Sequence, residues 1–305
     1  MAGEALTTNR SARSLPSPAA MSAKTKAAIG RAILYIVVIG SSSIFMAPFV
    51  YTVTSSLKTP GELFMYPPTW IPATPQPQNY VEVFRRVPFA TWLWNSFLIS
   101  FVSTFGAVLS AAIVGYSFAR FRYPGRDILF MITLSTMMLP IEVTLIPLYL
   151  MFAQLKVLDT YWPLIAPSFF GGGAFLIFLM RQFFMTIPKD LDEAARIDGA
   201  GYLRIFFQIL MPLSVPAVAT AAILTFMGRW DAFLEPFIFL NSTIKFTVAI
   251  GIRYFQAVAG AAGEAEHKEH LMMAASVMMT APIIMLFFAA QRYFVRGIVM
   301  TGIKG

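Results

Sequence analysis

The sequence predicts an all-α, polytopic membrane protein with six transmembrane helices. Of its 305 residues, 57% are hydrophobic and only 12% are charged, whereas charged residues make up about 25% of a typical soluble domain. The mean hydropathy is +0.68. The few charges are also clustered, and the clusters separate apolar runs long enough to cross a bilayer, which takes about 20 residues.

Charged residues on either side define the six apolar runs. The second and fourth runs, residues 87–119 and 160–180, contain no charged side chain. The third contains one carboxylate and the fifth contains three charged side chains, which are considered below. In chain order, the predicted spans are residues 32–57, 87–119, 128–155, 160–180, 215–240 and 271–291.

The distribution of Lys and Arg predicts the orientation of these spans, because cytoplasmic segments carry an excess of both. Lys and Arg are more numerous in four segments taken together, namely the N-terminal segment, the second and fourth connecting segments and the C-terminus, than in the three segments between them. Arg85 and Arg86, in the first outer segment, run against this trend. We expect a multi-pass protein of a bacterial or archaeal cytoplasmic (inner) membrane with both termini in the cytoplasm. This bias explains the net charge of +8, so the expected partner of the basic residues is membrane lipid and not nucleic acid.

The N-terminal segment differs from the remainder in composition. Residues 1–28 are rich in Ala, Ser, Thr and Pro, which predicts a disordered cytoplasmic tail, and residues 29–305 form the predicted membrane domain. The first apolar run is longer than the core of a cleavable signal peptide, about 7 to 15 residues. The chain has no cysteine. No histidine lies in a predicted span, so a membrane enzyme with the usual nucleophile-base pairs is not expected, and His267 and His270 are interpreted as loop residues rather than metal ligands.

The segment between the fourth and fifth spans, residues 186–213, predicts two short helices joined by a tight turn. A proline suits the first helical turn, and the acidic residues after it lie near the positive end of the helix dipole. Leu191, Ala194 and Ala195 recur at helical spacing and give a small apolar face, and Gly199 can end the helix. This pattern is typical of a docking element, although an ordinary surface hairpin fits it equally.

The same segment contains a motif that resembles a known family. Glu193-Ala194-Ala195, followed by Asp198-Gly199-Ala200 and Pro212, resembles the EAA loop of ABC importer permeases. Other matches resemble the carbohydrate-uptake branch, and within it the smaller permease of maltose transporters. They are Ser56-Leu57-Lys58, Asn79-Tyr80, Arg181-Gln182-Phe183-Phe184, Gln291-Arg292, Arg296-Gly297 and Lys304-Gly305. The resemblance extends from about residue 31 to residue 305 and implies the type I ABC importer permease fold.

The resemblance also implies a division of labour among subunits. A second homologous permease would pair with this chain, a dimer of ATPase subunits would hold ATP and Mg²⁺, and an extracytoplasmic binding protein would deliver the substrate. The chain itself is expected to need no cofactor and to catalyse no reaction, since it has no G-x-x-x-x-G-K-[ST] phosphate loop. The residues implied in coupling to the ATPase are Leu191, Glu193, Ala194, Ala195, Asp198 and Gly199.

Charged and aromatic side chains within the spans are candidates for the substrate pathway, because ionisable groups at membrane depth usually face a bundle interior or a wet cavity. On a helix continuing to residue 240, four aromatic residues would form one stripe on which a sugar could stack, with Arg229 beside it and Glu142 as one candidate partner. The stripe would consist of Phe226, Trp230, Phe233 and Phe237. The candidate pathway residues are Glu142, Phe226, Arg229, Trp230, Asp231 and Phe233.

Alternatives remain open for these residues and for the function. The aromatic residues could equally pack between helices, and Glu142 could equally be a buried carboxylate paired with a neighbouring helix. Trp230-Asp231 stands where similar sugar permeases commonly have Trp-Asn. We expect the substrate to be a di- or oligosaccharide, with glycerol 3-phosphate or a related polyol phosphate as the alternative. An ion-coupled secondary transporter would often show repeat symmetry between its halves, which the sequence lacks, and would leave the EAA-like loop unexplained.

Overall fold

The computed structural model describes residues 18–261 and 268–302, with side chains described for residues 25–257 and 268–291. Within these ranges the chain is helical and has no β-strand. The helices are α1 (Pro18–Ser55), α2 (Pro60–Leu63), α3 (Gln78–Arg86), α4 (Phe89–Arg120), α5 (Arg126–Ser135), α6 (Ile141–Gln154), α7 (Trp162–Ile165), α8 (Ala174–Thr186), α9 (Asp190–Ile197), α10 (Tyr202–Ile205), α11 (Met211–Leu213), α12 (Val215–Trp230), α13 (Leu234–Phe239), α14 (Val248–Ala261) and α15 (Glu269–Gly302). Thr136–Met138, Ala166–Phe169 and Thr243–Lys245 are 3-10 turns, and Phe206–Leu210 is π-helical.

Six helical segments are long and apolar enough to cross a membrane if each bent pair is counted as one span. Four are single spans: Thr25–Ser55, Phe89–Arg120, Trp162–Thr186 and Glu269–Gln291. The other two are Arg126–Met138 with Ile141–Gln154, bent by 98°, and Tyr202–Leu213 with Val215–Trp230, bent by 80°. The predicted number of spans is confirmed on this count. The bends fall near Pro140 and Pro216, as expected for residues that cannot donate a backbone hydrogen bond.

The first helix begins earlier than the composition predicts. α1 starts at Pro18, so residues 18–28, expected in a disordered tail, are helical. Proline suits the first helical position, and the alanine-rich run that follows has a high helix propensity. Residues 1–17 lie outside the described residues. The chain divides into two units, the first ending at Tyr51 and the second beginning at Thr52, and all features described below belong to the second.

α4 is the central helix of the second unit and packs against α8 and α12. Its buried residues include Ser103, Ala107, Ala111, Ala112 and Gly115. Small residues such as these allow helices in a membrane to approach closely. At Gly115, an added Cβ would lie only 3.0 Å from the Cβ of Met180 on α8, which shows how closely these two helices pack.

The fourth span is interrupted by three consecutive glycines at the start of α8. Gly171, Gly172 and Gly173 have φ angles of +94°, +65° and +100°, values that residues with a side chain rarely adopt. At Gly172 the backbone approaches α4 so closely that a Cβ would lie 2.2 Å from the carbonyl oxygen of Ala107. The interruption is therefore fixed against the central helix.

The first outer segment brings together two of the family-like motifs. As its prolines predict, it contains no long helix, only α2 and α3. The side-chain amide of Asn79 donates to the carbonyl oxygens of Ser56 and Lys58 at 2.9 and 3.0 Å. The hydroxyls of Ser56 and Tyr80 lie 2.7 Å apart. Ser56-Leu57-Lys58 and Asn79-Tyr80 thus form one hydrogen-bonded corner just after the C-terminal end of α1.

The segment between the fifth and sixth spans contains a helix, α14, that the sequence pattern does not predict. Polar side chains near the start of α4 hold in place the residues that lead into α14. The Trp92 indole donates to Thr243 O at 2.7 Å, the Asn95 amide donates to Phe246 O at 3.0 Å, and the Ser96 hydroxyl accepts from the backbone N–H of Val248 at 2.8 Å. These contacts join positions about 150 residues apart, which local sequence patterns do not reveal.

A carboxylate joins the segments that follow the third and fifth spans. Asp159, in the turn after α6, accepts hydrogen bonds from the backbone N–H groups of Asn241 and Ser242, both at 2.9 Å, and from the side chains of Ser242 and Lys245. Burial alone would raise the pKa of Asp159, but the hydrogen bonds from Ser242 and Asn241 outweigh it and hold the pKa well below its usual range. The carboxylate is therefore ionised at neutral pH.

Candidate functional site

The loop between α8 and α12 contains a short helix with a well-formed end. α9 lies within the predicted segment and carries Asp190, Asp192 and Glu193 in its first turn. At the other end, Gly199 has a φ of +82°. Its N–H donates to Arg196 O at 3.0 Å and the N–H of Ala200 donates to Ala195 O at 2.8 Å, which together form a Schellman motif.

The faces of α9 differ from the expected arrangement in one respect. Ala195 does not share an exposed face with Leu191 and Ala194, because it is buried in an apolar cluster that includes Phe184 and Phe206. The exposed apolar strip consists of Leu191, Ala194 and Ile197, the last with 87% of its surface accessible. Ile197 is not among the predicted coupling residues, although its spacing of three from Ala194 places it on the same face of the helix.

The other residues predicted to couple to the ATPase lie at the surface of the loop. Glu193, Asp198 and Gly199 are exposed. Glu193 also borders an open cavity of about 710 Å³ between α9 and the end of α4. Arg120, Arg122, Lys189 and Arg196 line this cavity together with Asp192 and Tyr202. The loop therefore presents an acidic side chain next to an apolar strip, and both are accessible to a partner.

A second group of polar side chains lies where two spans are broken. Arg229, in the last turn of α12, donates from Nη1 to Glu235 Oε2 at 2.7 Å across the non-helical residues 231–233. Its Nη2 lies 3.5 Å from the hydroxyl of Ser168, just before the glycine interruption. Arg229 thus meets a carboxylate, as expected, but the partner is Glu235 and not Glu142. Side chains of this kind at membrane depth are typical of sites that face a cavity or a neighbouring subunit.

The single aromatic stripe predicted along the fifth span is wrong, because α12 ends at Trp230 instead of continuing to residue 240. Two separate stacked pairs replace the stripe. Phe226 and Trp230 stack at 5.8 Å between ring centroids, and Phe233 and Phe237 stack at 5.3 Å beyond the break.

Trp230 also does not face a cavity. Its side chain is buried, with 2% exposed, and its indole N–H donates to Met279 O on α15 at 3.1 Å. The alternative of packing between helices applies to this residue. Glu142, Asp231 and Phe233 are exposed in the isolated chain, so Glu142 is not buried against another helix of this chain.

Solved structures similar to this chain show the same fold. A bacterial ABC transporter involved in the import of the acidic polysaccharide alginate superposes with a TM-score of 0.75 at 23% identity, over 92% of this chain and 99% of that one. A chain of the alginate transporter in complex with an alginate pentasaccharide-bound periplasmic protein superposes with a TM-score of 0.60 at 16% identity, over 86% of this chain and 94% of that one.

Residues 107–300 match the family described as binding-protein-dependent transport system inner membrane component. The chain belongs to this family. It is therefore a permease subunit of an ABC importer, and the fold and subunit type expected from its EAA-like loop are confirmed. The match includes the whole loop between α8 and α12.

Curated relatives of this permease cover nearly its whole length. The arabinooligosaccharides transport system permease protein of Halalkalibacterium halodurans is 33% identical over 261 residues, 85% of this chain and 91% of that protein. The sn-glycerol-3-phosphate transport system permease protein of Yersinia pestis is 34% identical over 268 residues, 86% and 93% of the two chains. The sulfoquinovosyl glycerol transport system permease protein of Agrobacterium fabrum is 31% identical over 258 residues, 85% and 88%.

Proposed function

We propose that this permease carries a neutral di- or oligosaccharide and that α9 couples it to a dimer of ATPase subunits that hold ATP and Mg²⁺. The observation that carries the proposal is α9 itself, a capped helix whose apolar strip and acidic side chain are free to meet a partner. A second, homologous permease subunit completes the pathway, and an extracytoplasmic binding protein delivers the sugar.

The charge balance among the polar side chains at the two broken spans favours a neutral substrate over a polyol phosphate. A phosphate is usually bound by Arg side chains through paired hydrogen bonds. Arg229 already forms an ion pair with Glu235, so its positive charge is neutralised within the chain. Exposed Phe233 and Phe237 nearby offer an aromatic surface on which a sugar ring can stack.

The substrate can be tested with the reconstituted importer and its binding protein. ATP hydrolysis should be stimulated by the binding protein loaded with an arabino-oligosaccharide and not by the same protein offered sn-glycerol 3-phosphate. Stimulation by glycerol 3-phosphate alone would contradict the neutral-sugar proposal and support the alternative.

Replacing Arg229 with Ala should lower sugar uptake by at least about tenfold, which corresponds to about 1.4 kcal/mol. The variant leaves Glu235 without its partner at the proposed pathway. Uptake into proteoliposomes is the measurement, with pull-down of the ATPase subunit to show that assembly is intact. Arg253→Ala is a matched control, since Arg253 is exposed on α14 and hydrogen-bonds only Gln256 among the contacts described for it. Equal uptake by the two variants would remove Arg229 from the pathway.

We propose further that the loop containing α9 faces the cytoplasm and that both termini lie on the same side. The absence of cysteine allows single-cysteine labelling. Gly201→Cys and Gly61→Cys are suitable, because a Cβ at either position meets no atom within 4 Å. In sealed cells a membrane-impermeant thiol reagent should label Cys at 61 and should label Cys at 201 only after permeabilisation. The reverse pattern would invert the topology.

A further inference from the structure

A buried ion pair joins the proposed coupling helix to the central helix of the bundle. Arg120 is the last residue of α4, and Asp192 lies in the first turn of α9. Arg120 Nε lies 3.0 Å from Asp192 Oδ2, and the two side chains are only 2% and 6% exposed. Arg120 Nη2 also donates to Ile187 O at 2.9 Å, in the segment that leads into α9. One side chain thus contacts both the helix and its connection.

The pair is an inefficient way to stabilise the fold. Burying two charges costs several kcal/mol per ion unless hydrogen bonds satisfy their remaining polar atoms. Arg120 Nη1 and Asp192 Oδ1 find no hydrogen-bond partner among the described residues, and the Nε contact has ion-pair distance without the alignment of a hydrogen bond. Burial accordingly raises the pKa of the Asp192 carboxyl, against the opposing effect of Arg120.

The position of the pair suggests a different role. α4 runs for 32 residues through the centre of the bundle and contacts both α8 and α12. α9 otherwise meets the bundle through Ala195, a side chain of one carbon, in the cluster with Phe184 and Phe206. Asp192 and Ala195 are the buried residues of α9, and within the described part of the chain the ion pair is the polar contact that joins α9 directly to α4.

We propose that Arg120 and Asp192 transmit movement between α9 and α4, so that displacement of α9 by the ATPase moves the central helix. They are positioning residues: neither meets ATP or sugar. This inference rests on the proposed docking role of α9. Without the pair, α9 still binds the ATPase through its exposed strip, but its movement is no longer passed on to α4, and ATP is hydrolysed with little transport.

The test is the amount of sugar imported per ATP hydrolysed by the reconstituted complex. Asp192→Asn should lower this ratio by about tenfold, within the range of measured coupling free energies, while pull-down of the ATPase stays within about twofold. Asp192→Glu keeps the charge and should restore most of the ratio. Asp190→Asn is the matched control, because Asp190 is exposed in the same helical turn, and it should leave the ratio unchanged.

A double-mutant cycle shows whether the two residues act together. Arg120→Gln should reproduce the loss of ratio, and Arg120→Gln combined with Asp192→Asn should be no worse than either single change. Additive losses, an unchanged ratio in Asp192→Asn, or loss of assembly and thermal stability in parallel with the ratio would overturn the inference. The docking role itself fails separately: it is wrong if Glu193→Ala and Gly199→Val both leave ATPase binding intact, whatever Asp192→Asn does.

Discussion

Glu193→Ala is expected to abolish transport by weakening the attachment of the ATPase. Glu193 is exposed in the first turn of α9, beside the strip of Leu191, Ala194 and Ile197. A hydrogen bond from a partner to its carboxylate, partly buried once the subunits meet, is worth about 1.5 to 3 kcal/mol. Its loss should therefore weaken ATPase binding by roughly ten- to a hundredfold. Asp190→Ala removes an exposed acidic side chain from the same helix and serves as the control.

Gly199→Val tests the same docking surface through the backbone. At φ +82° a β-branched side chain is strongly disfavoured, while a Cβ there meets no atom within 4 Å. The variant therefore alters the end of α9 without a clash. Gly201→Val is its control, since Gly201 is equally uncrowded and has a φ of −75°. The readouts are pull-down of the ATPase and stimulation of ATP hydrolysis by the loaded binding protein. Full docking in both Glu193→Ala and Gly199→Val would show that this loop is not the coupling element.

Gly172→Ala is expected to disrupt the packing of the fourth span against α4. The added Cβ would lie 2.2 Å from Ala107 O and 2.8 Å from its carbonyl carbon, and neither backbone atom can move without displacing α4. Overpacking of this kind costs roughly 1 to 3 kcal/mol or more, in addition to about 1 to 2 kcal/mol for a side chain in the left-handed region. We expect a large drop in the melting temperature of the purified permease and little assembled complex.

Gly125→Ala separates the two contributions. Gly125 also has a positive φ, +79°, in the left-handed region, but its Cβ would meet no atom within 4 Å. The control should therefore lose stability only through backbone strain, and Gly172→Ala should lose clearly more. If the two variants melt at the same temperature, the close approach to Ala107 does not contribute to stability.

The sequence predicts the spans well where a helix is continuous and less well where it is broken. α4 follows directly from a long uncharged run, because nothing within it interrupts the backbone hydrogen bonds. The fifth span does not continue to residue 240, and Pro236 is the signal that was missed. A proline clashes with the carbonyl four residues earlier, at residue 232, inside the non-helical segment.

The candidate site was predictable in its motif but not in its orientation. Spacing places Leu191, Ala194 and Ala195 on neighbouring positions of α9, but it does not tell which of them meets the chain's own core. Ala195 turns inward because α9 lies over the cluster of Phe184 and Phe206. Likewise Arg229 predictably needs a carboxylate, yet the choice of Glu235 depends on a break that brings the start of α13 back towards the end of α12.

The hydrogen bonds of Asp159 constrain how the permease can alternate between open states. A single carboxylate holds four donors from Asn241, Ser242 and Lys245, so the turn after α6 and the segment after α13 cannot separate unless several hydrogen bonds break at once. For smaller displacements the two segments move together as one rigid body. The joined ends of the third and fifth spans are therefore expected to move together, and a hinge between these two spans is expected away from Asp159.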